Sequence, residues 1–336
     1  MLLTILLFLG SAALIYFACE YFTNSVEWCG KHMNLGATAV GSVLAAFGTA
    51  LPESAVTFTA VVFGHSAQQK DIGVGAAMGG PLVLATIAYG VVGLALWLNQ
   101  NRLKRADHCV VADYKRLGSD QVSFLAIFVV KVGLGLVAFA YKPWLGALFL
   151  AAYAIYVWRE ISAPDQGPDQ GDVDEDELEP LKFRPNNPNM AWAGGQAIVA
   201  LLVIAAASHV FVSQLETLAG ALGMASHTAA LLLSPVATEL PETMNAIIWV
   251  RQGKERLALA NISGAMMIQA TIPSALGIIF TPWRFDANLL VSGAVTAIAI
   301  VVLWLMFARK RVDSRALSAI GLLYGLFAAW LVFGRV

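Results

Sequence analysis

The sequence predicts an all-α integral membrane protein: ten transmembrane helices in two inverted five-helix repeats, with broken helices at the membrane midplane. Three observations predict this class: the composition, the number of long apolar runs, and a short motif that occurs twice. Of the 336 residues, 58% are hydrophobic and only 13% are charged, and the mean hydropathy is +0.70. Soluble domains are about 45–50% apolar and about 25% charged. Soluble, disordered and collagen-like classes are therefore excluded.

Ten apolar runs are long enough to cross a bilayer as helices, which takes roughly 17–25 residues. The first run lacks the basic segment of a secretory signal peptide, so we interpret it as the first transmembrane helix. The fourth and fifth runs are separated only by residues 141–143. The predicted spans are residues 2–23, 34–64, 72–98, 122–141, 143–158, 190–215, 226–250, 257–280, 289–308 and 316–333.

An acidic segment rich in Pro, Gly and Gln separates two halves of the chain. We divide the chain into a first five-helix repeat (1–160), an acidic linker (161–189) and a second, inverted five-helix repeat (190–336). Asp172, Asp174 and Asp176 alternate as in a calcium-binding loop, but Glu177 and Phe183 stand where that loop needs Gly and Glu. A solvated linker is the favoured interpretation, and a regulatory calcium site is the alternative.

The positions of Lys and Arg predict the orientation. Most of them fall in alternate loops, with clusters at residues 102–116 and 309–315. By the positive-inside rule these loops and the acidic linker are cytoplasmic, and both termini are outside. Because each half has five spans, the second half then enters the membrane upside down. The compact loops and the lack of a targeting peptide favour a multi-pass protein of a prokaryotic inner membrane.

A short motif occurs once in each half. Residues 48–53 read GTALPE and residues 237–242 read ATELPE, an offset of 189, and each copy interrupts an apolar run. A second pair, residues 79–87 and 264–272, shares a glycine and the sequence Ala-Thr-Ile. Two related pairs at similar offsets predict an internal repeat.

The motifs bring carboxylates into the membrane. Glu53, Glu239 and Glu242 each face an insertion cost of about 2.5–3.5 kcal/mol, and such residues usually mark ion or proton paths. Pro52 and Pro241 lack a backbone N–H, which frees a carbonyl one turn earlier. Carboxylates beside free carbonyls form an oxygen-rich site suited to a hard cation such as Ca²⁺ or Na⁺. No basic residue lies in either motif, so bound cations or protons are expected to balance these acids.

Other polar residues in the apolar runs each have two possible interpretations. Asn261, Ser263 and Gln269 either supply neutral oxygen ligands or hold helices together. Lys131, inside the fourth span, either extends to the membrane interface or pairs with an acid. The glycines at 73, 75, 79 and 80 are interpreted as a packing stripe that lets another helix approach closely.

Several functions are excluded or less favoured. The three cysteines form no CxxC pair, which excludes a disulfide framework and a cysteine zinc site. No HExxH sequence or nucleophile and base pair is present, so we expect no enzyme, no catalytic residue and no cofactor. A net charge of −1 gives no electrostatic reason to expect a nucleic-acid partner. The expected partners are inorganic cations and the lipid bilayer; the oligomeric state is not predicted. A passive channel stays as an alternative.

Residues 48–54 (GTALPES) and 237–243 (ATELPET) resemble the paired alpha-repeat signatures of the calcium/cation antiporter superfamily, which includes the sodium/calcium exchangers. The resemblance covers residues 34–90 and 226–277. It implies an antiporter that exchanges a divalent cation, Ca²⁺ first, for Na⁺ by alternating access. It also implies that the first and sixth spans slide as gating helices. Glu53 and Glu242 would be the central ligands, with Thr49 and Thr238 adding oxygens.

The chain also departs from the signature. Ala50 and Glu239 replace a small hydroxyl residue, which removes expected sodium ligands and adds a carboxylate. Residues 75–81 (GAAMGGP) and 260–266 (ANISGAM) lose most of the usual asparagines and serines, while residues 264–273 resemble proton-coupled cation exchangers. The alternative is therefore a divalent cation/H⁺ exchanger with Glu239 as proton carrier. The predicted metal site comprises Thr49, Glu53, Thr238, Glu239, Glu242, Asn261, Ser263 and Gln269.

Overall fold

The structure, a computed structural model, describes residues 1–32, 50–103, 105, 107–162, 181–183 and 189–333. Thr49 and most of the acidic linker lie outside these residues. Within them the regular structure is helical apart from one isolated β-bridge. The helices are α1 (Leu2–His32), α2 (Leu51–Val62), α3 (Ala67–Val83), α4 (Tyr89–Leu98), α5 (Tyr114–Leu136), α6 (Gly146–Ser162), α7 (Met190–Ala221), α8 (Ser226–Thr238), α9 (Leu240–Arg251), α10 (Glu255–Phe280), α11 (Ala287–Ala308), α12 (Ser314–Ala319) and α13 (Gly321–Phe333).

Seven segments among the described residues are long and apolar enough to cross a membrane. The predicted all-α membrane class is therefore confirmed, while the count of ten spans stays a prediction. A π-helical segment, Leu84–Ala88, joins α3 to α4 in one continuous segment. The seven are Leu2–Val26, Ala67–Leu98, Tyr114–Leu136, Met190–Ala221, Glu255–Phe280, Ala287–Ala308 and Ser314–Leu331.

Side-chain caps set helix starts that hydropathy alone places wrongly. The fourth span was expected from residue 122, but α5 begins at Tyr114 because the Asp113 side chain accepts a hydrogen bond from the Arg116 backbone N–H. Such a cap satisfies a donor that the first helical turn leaves open. A capped helix can therefore begin well before its apolar run.

The two motif copies form the same kind of helix start, and in the second copy this start follows the end of α8 directly, as a helix break. Ala50 precedes α2 with φ −82° and ψ 0°, and Glu239 precedes α9 with φ −94° and ψ 1°. In each copy a proline stands in the first turn, where its missing N–H costs nothing. The Ser54 hydroxyl donates to the Ala50 carbonyl at 3.1 Å, and the Thr243 hydroxyl donates to the Glu239 carbonyl at 2.9 Å. The repeated sequence thus has a repeated local structure.

The loops meet in two groups at opposite ends of the long helices. At one end, Arg105 pairs with Glu255 at 2.7 Å and joins the segment before α5 to the start of α10. At the other end, the Ser66 hydroxyl donates to Glu216 at 2.9 Å and joins the start of α3 to α7. This grouping is consistent with the alternation of loops that the charge pattern predicts.

Glycines on α3 allow α8 to approach closely, as the packing interpretation predicts. A Cβ atom on Gly75 would lie 2.1 Å from the His227 carbonyl oxygen, and one on Gly79 would lie 2.7 Å from Pro235 Cγ. Real Cβ atoms do not approach backbone atoms this closely, so only glycine permits the observed spacing. The contact holds α8, which leads into the second helix break, against α3.

Gly75→Ala is expected to lower the free energy of unfolding by about 1–3 kcal/mol, because the added methyl group overpacks the α3–α8 contact. Gly133→Ala is the matched control, since a Cβ there meets nothing within 4 Å. Thermal unfolding of the detergent-solubilised variants measures the difference. Equal unfolding temperatures for the two variants would contradict the packing role of Gly75.

Candidate cation-binding site

The two helix breaks are joined by one hydroxyl group. Thr238 Oγ1 donates to Glu53 Oε2 at 2.7 Å and lies 3.3 Å from Glu239 Oε1. Glu53 is fully buried, and Thr238 and Glu239 are 3% and 2% exposed. Because a hydroxyl has one proton and several acceptors surround it, Thr238 can serve only one carboxylate at a time. A carboxylate from each half of the chain therefore meets at this residue.

α10 and α3 close the site around Glu239. Gln269 Nε2 donates to both carboxylate oxygens of Glu239, at 2.9 and 2.8 Å. A Cβ atom on Gly80 would lie 2.4 Å from Gln269 Oε1 and 3.3 Å from Glu239 Oε1. Gly80 thus gives the amide and the carboxylate the space that any side chain would occupy.

The third predicted carboxylate, Glu242, lies in the first turn of α9 and is fully buried. It is close enough to Cys19 of α1 for an electrostatic interaction. Within the described residues, no three His, Cys, Asp or Glu side chains converge as a ready metal site. The structure therefore brings Glu53 and Glu239 together at Thr238. Glu242 follows Glu239 by three residues, in the first turn of α9.

Buried oxygen atoms near this cluster have no hydrogen-bond partner among the described residues. They include Glu53 Oε1, Thr57 Oγ1, Ser234 Oγ and Gln269 Oε1. Buried polar atoms are normally hydrogen-bonded, so such a group needs an explanation. Oxygen atoms of this kind are the ligands that Ca²⁺ and Na⁺ prefer, and a cation would satisfy them.

Thr57 and Ser234 are candidates that sequence reasoning missed. Thr57 follows Glu53 by four residues on α2, and Ser234 precedes Thr238 by four residues on α8. Residues four apart lie on the same face of a helix. Hydroxyl residues one turn from each motif were therefore a usable signal in the sequence.

Lys131 lies in the membrane core near the acids. Its side chain is fully buried, Nζ donates to the Ala77 carbonyl at 2.7 Å, and it interacts electrostatically with Glu53. The side chain is buried rather than extended to the interface, its hydrogen bond goes to a backbone carbonyl, and pairing with an acid stays a prediction. The expectation that bound cations or protons balance the acids stays a prediction, and Lys131 adds a positive group from a span that carries neither motif.

Two other predicted ligands lie elsewhere on α10. The Ser263 hydroxyl donates to Asp120 of α5 at 2.8 Å rather than to a motif carboxylate. Asn261 is eight residues before Gln269, which is about 12 Å along a helix. Ligand roles for Asn261 and Ser263 stay predictions, and Thr49 lies outside the described residues.

Asp120 was also missed by sequence reasoning. It is 9% exposed and lies on α5 beside Gln121, whose amide donates to the Tyr89 hydroxyl at 3.1 Å. The apolar run was taken to begin at residue 122, so Asp120 fell just outside it. An acid directly before an apolar run was the available signal.

Comparison with known proteins identifies the family of this chain. A model of the family described as sodium/calcium exchanger protein matches residues 3–161 and 192–333. The inner membrane protein YrbG of Escherichia coli (strain K12) is 22% identical over 98% of this chain and 96% of its own length.

Two solved structures have a similar fold. The H⁺/Ca²⁺ exchanger CAX superposes with a TM-score of 0.72 at 17% identity, covering 98% of this chain and 82% of that chain. The sodium-calcium exchanger NCX_Mj superposes with a TM-score of 0.59 at 19% identity, covering 98% of each chain. Because the family model matches nearly the whole chain, this membrane protein belongs to the sodium/calcium exchanger protein family.

Proposed function

We propose that this protein is a secondary active antiporter that exchanges a divalent cation, Ca²⁺ in the first place, for Na⁺ by alternating access. The observation that carries the proposal is the buried junction of the two helix breaks, where Thr238 links Glu53 to Glu239. A carboxylate junction sealed from solvent is costly unless a cation or protons occupy it. In an exchanger this cost couples the two ions, because the empty site is too unfavourable to open to the other side of the membrane until a counter-ion has bound.

Ligand chemistry favours a hard divalent cation. The atoms available at the junction are carboxylate, hydroxyl, amide and backbone oxygens. Ca²⁺ takes six to eight such oxygens in flexible geometry, whereas softer metals prefer sulfur or imidazole. Pro241 has no N–H for the Ala237 carbonyl, which adds one backbone oxygen next to Thr238.

The alternative counter-ion is H⁺. Glu239 is a carboxylate where the first motif has Ala50, and Gln269 and Thr238 surround it with hydrogen bonds. A carboxylate can carry a proton without any oxygen ligands for Na⁺. Family membership supports Na⁺, and the fold likeness to an H⁺/Ca²⁺ exchanger supports H⁺.

Alternating access would move α1 and α7 as one body past the junction. Gln196 of α7 donates to the Tyr21 carbonyl at 2.9 Å, and Phe8 of α1 stacks on Phe211 of α7 at 4.6 Å between ring centroids. These contacts tie the two helices to each other along their length. The hydrogen bond between Glu216 and Ser66 then joins this pair to the rest of the protein at one end.

The finer architecture is also proposed. We infer ten spans in two inverted five-helix repeats, 1–160 and 190–336, with a cytoplasmic acidic linker at 161–189 and both termini outside. Matching break geometry at Ala50 and Glu239 supports the repeat, and the two loop groups support the sidedness. A prokaryotic inner membrane is the proposed location, in line with the inner membrane relative.

Reconstituted protein is expected to take up Ca²⁺ against an outward Na⁺ gradient at clamped voltage. An outward H⁺ gradient of equal size, in parallel vesicles, tests the alternative. Uptake that needs no counter-ion gradient and follows the Ca²⁺ gradient alone would indicate a channel instead. Absence of uptake with either gradient, for Ca²⁺ and Mn²⁺ alike, would contradict the proposal.

Glu53→Gln is expected to abolish exchange, because it removes a ligand carboxylate and keeps the size of the side chain. Asp107→Asn is the comparison, because it removes an exposed carboxylate in the segment before α5, away from the junction. Counter-ion driven Ca²⁺ uptake measures both. A Glu53→Gln protein that exchanges at the normal rate would remove Glu53 from the site.

Glu239→Gln tests the proton-coupled alternative. If Glu239 carries the proton, the variant loses H⁺-driven uptake, and the inhibition of Ca²⁺ uptake at low pH becomes weaker. Protons and Ca²⁺ compete for the same carboxylate, so removing it removes the competition. Unchanged uptake with an unchanged pH profile would show that Glu239 has no special role.

Labelling of single cysteines in a cysteine-free background tests the orientation. Gln68→Cys is expected to react with an impermeant maleimide added to intact cells, and Gln166→Cys only after the cells are opened. The reverse pattern would invert the proposed topology.

A further inference from the structure

Lys131 of α5 is a charged side chain of the membrane core that belongs to neither motif. It is fully buried, and its Nζ atom donates to the Ala77 carbonyl of α3 at 2.7 Å. In a regular helix that carbonyl would accept a bond from the residue four positions on, which here is Pro81. Proline has no N–H to give. The Lys131 ammonium group therefore donates to a carbonyl that has no N–H partner within α3 because of Pro81.

The second helix break also leaves carbonyls at the end of α8 without the N–H groups of a further turn, and these are oxygens of the kind that bind a transported cation. Lys131 thus uses a proline-freed carbonyl as a free cation would, but it is covalently held. Ala77 lies one turn before Gly80, the residue at which α3 touches Glu239 and Gln269. The fixed positive charge is therefore about one helical turn from the carboxylate junction.

Three groups around Lys131 stabilise its ammonium form against the cost of burial. The Ala77 carbonyl accepts a hydrogen bond, the Phe128 ring lies 5.3 Å from Nζ, and Glu53 supplies a negative charge nearby. A carbonyl acceptor and an aromatic face both stabilise an ammonium group. Burial of a charge without such partners would be strongly unfavourable.

We propose that Lys131 is a specificity-determining residue that fixes how many counter-ions exchange for one divalent cation. The inference rests on the proposed antiport and deepens it. The three motif carboxylates, Glu53, Glu239 and Glu242, together with the ammonium of Lys131, carry a net charge of −2. One divalent cation or two monovalent ions bring that charge to zero.

Both loaded states are then electrically neutral, and the exchange is one divalent cation for two monovalent ions. Without Lys131, a bound divalent cation leaves one negative charge in a low-dielectric site, whereas three monovalent ions bring the site to zero, so each exchange cycle moves one net charge. Lys131 thereby does the work of a permanently bound counter-ion. Wild-type exchange is expected to be independent of membrane voltage, because no net charge crosses.

A charge-pair rescue tests this count. Glu239→Gln leaves a net charge of −1, and its equilibrium affinity for ⁴⁵Ca²⁺ in detergent is expected to fall at least about tenfold. Lys131→Gln leaves −3, and its Ca²⁺ uptake into vesicles becomes voltage-dependent. The double variant, with −2 restored, is expected to bind Ca²⁺ within about threefold of wild type. Lys131→Arg keeps the charge and should keep voltage-independent uptake.

Lys142→Gln is the matched control, alone and combined with Glu239→Gln. Lys142 is also a buried lysine, and its Nζ atom donates to the carbonyls of Leu134, Val137 and Trp283. It lacks a motif carboxylate as a partner in these contacts, so its loss should lower thermal stability without rescuing Glu239→Gln. A purely structural role of Lys131 would give the same result as Lys142.

The outcomes separate the two proposals. Rescue by Lys131→Gln and not by Lys142→Gln supports the charge count. Normal exchange by wild type with no rescue in the double variant, or with voltage-dependent wild-type uptake, overturns the charge count and leaves the antiport intact. No Ca²⁺ binding and no counter-ion driven uptake by wild type overturns the antiport and the charge count together. If Lys131→Gln alone does not fold, the Ca²⁺ affinity of the double variant, compared with that of Glu239→Gln, still tests the charge count.

Discussion

The hydrogen bond from Thr238 to Glu53 joins the two halves of the protein at their helix breaks. Around it lie Glu239, with two hydrogen bonds from Gln269, and buried oxygens that no described residue satisfies. Ionised carboxylates in a membrane interior are stable only with nearby positive charge or donors. Much of the local structure meets this constraint: the prolines free carbonyls, and the glycines of α3 let helices come close enough to share polar contacts.

The constraint also explains why the structure needs helices that stop in the membrane. A continuous helix satisfies its own backbone and offers a cation nothing except side chains. At Glu239 the chain instead ends α8 and starts α9, which brings helix-end carbonyls and a carboxylate to the same place, and α2 starts after Ala50 with similar backbone angles. The π-helical segment Leu84–Ala88, which follows α3, is a third backbone irregularity, and it begins about one turn after Gly80. Irregular backbone is concentrated where the protein has polar groups to satisfy it.

Sequence reasoning predicted the helical membrane class, the helix break at the second motif and the burial of Glu53, Glu239 and Glu242. These features are encoded locally, in composition and in a motif seen twice. It did not identify Glu53 as an acid that interacts electrostatically with Lys131, because the two lie on different helices and no spacing rule relates them. Thr57, Ser234 and Asp120 were missed for related reasons: a lone hydroxyl in an apolar run, or an acid at its edge, has many structural explanations. The start of α5 was misplaced because a cap, rather than hydropathy, sets it.

The most direct test of the account is to locate the divalent cation itself, by anomalous scattering from crystals of this protein grown with Ca²⁺ and with Sr²⁺. We predict one peak at the junction of the helix breaks, at about 2.3–2.6 Å from carboxylate oxygens of Glu53 and of at least one acid of the second motif. We also predict Lys131 Nζ still bonded to the Ala77 carbonyl beside it. A peak away from both motifs, or none at saturating cation, would contradict the central claim that these carboxylates form the cation site.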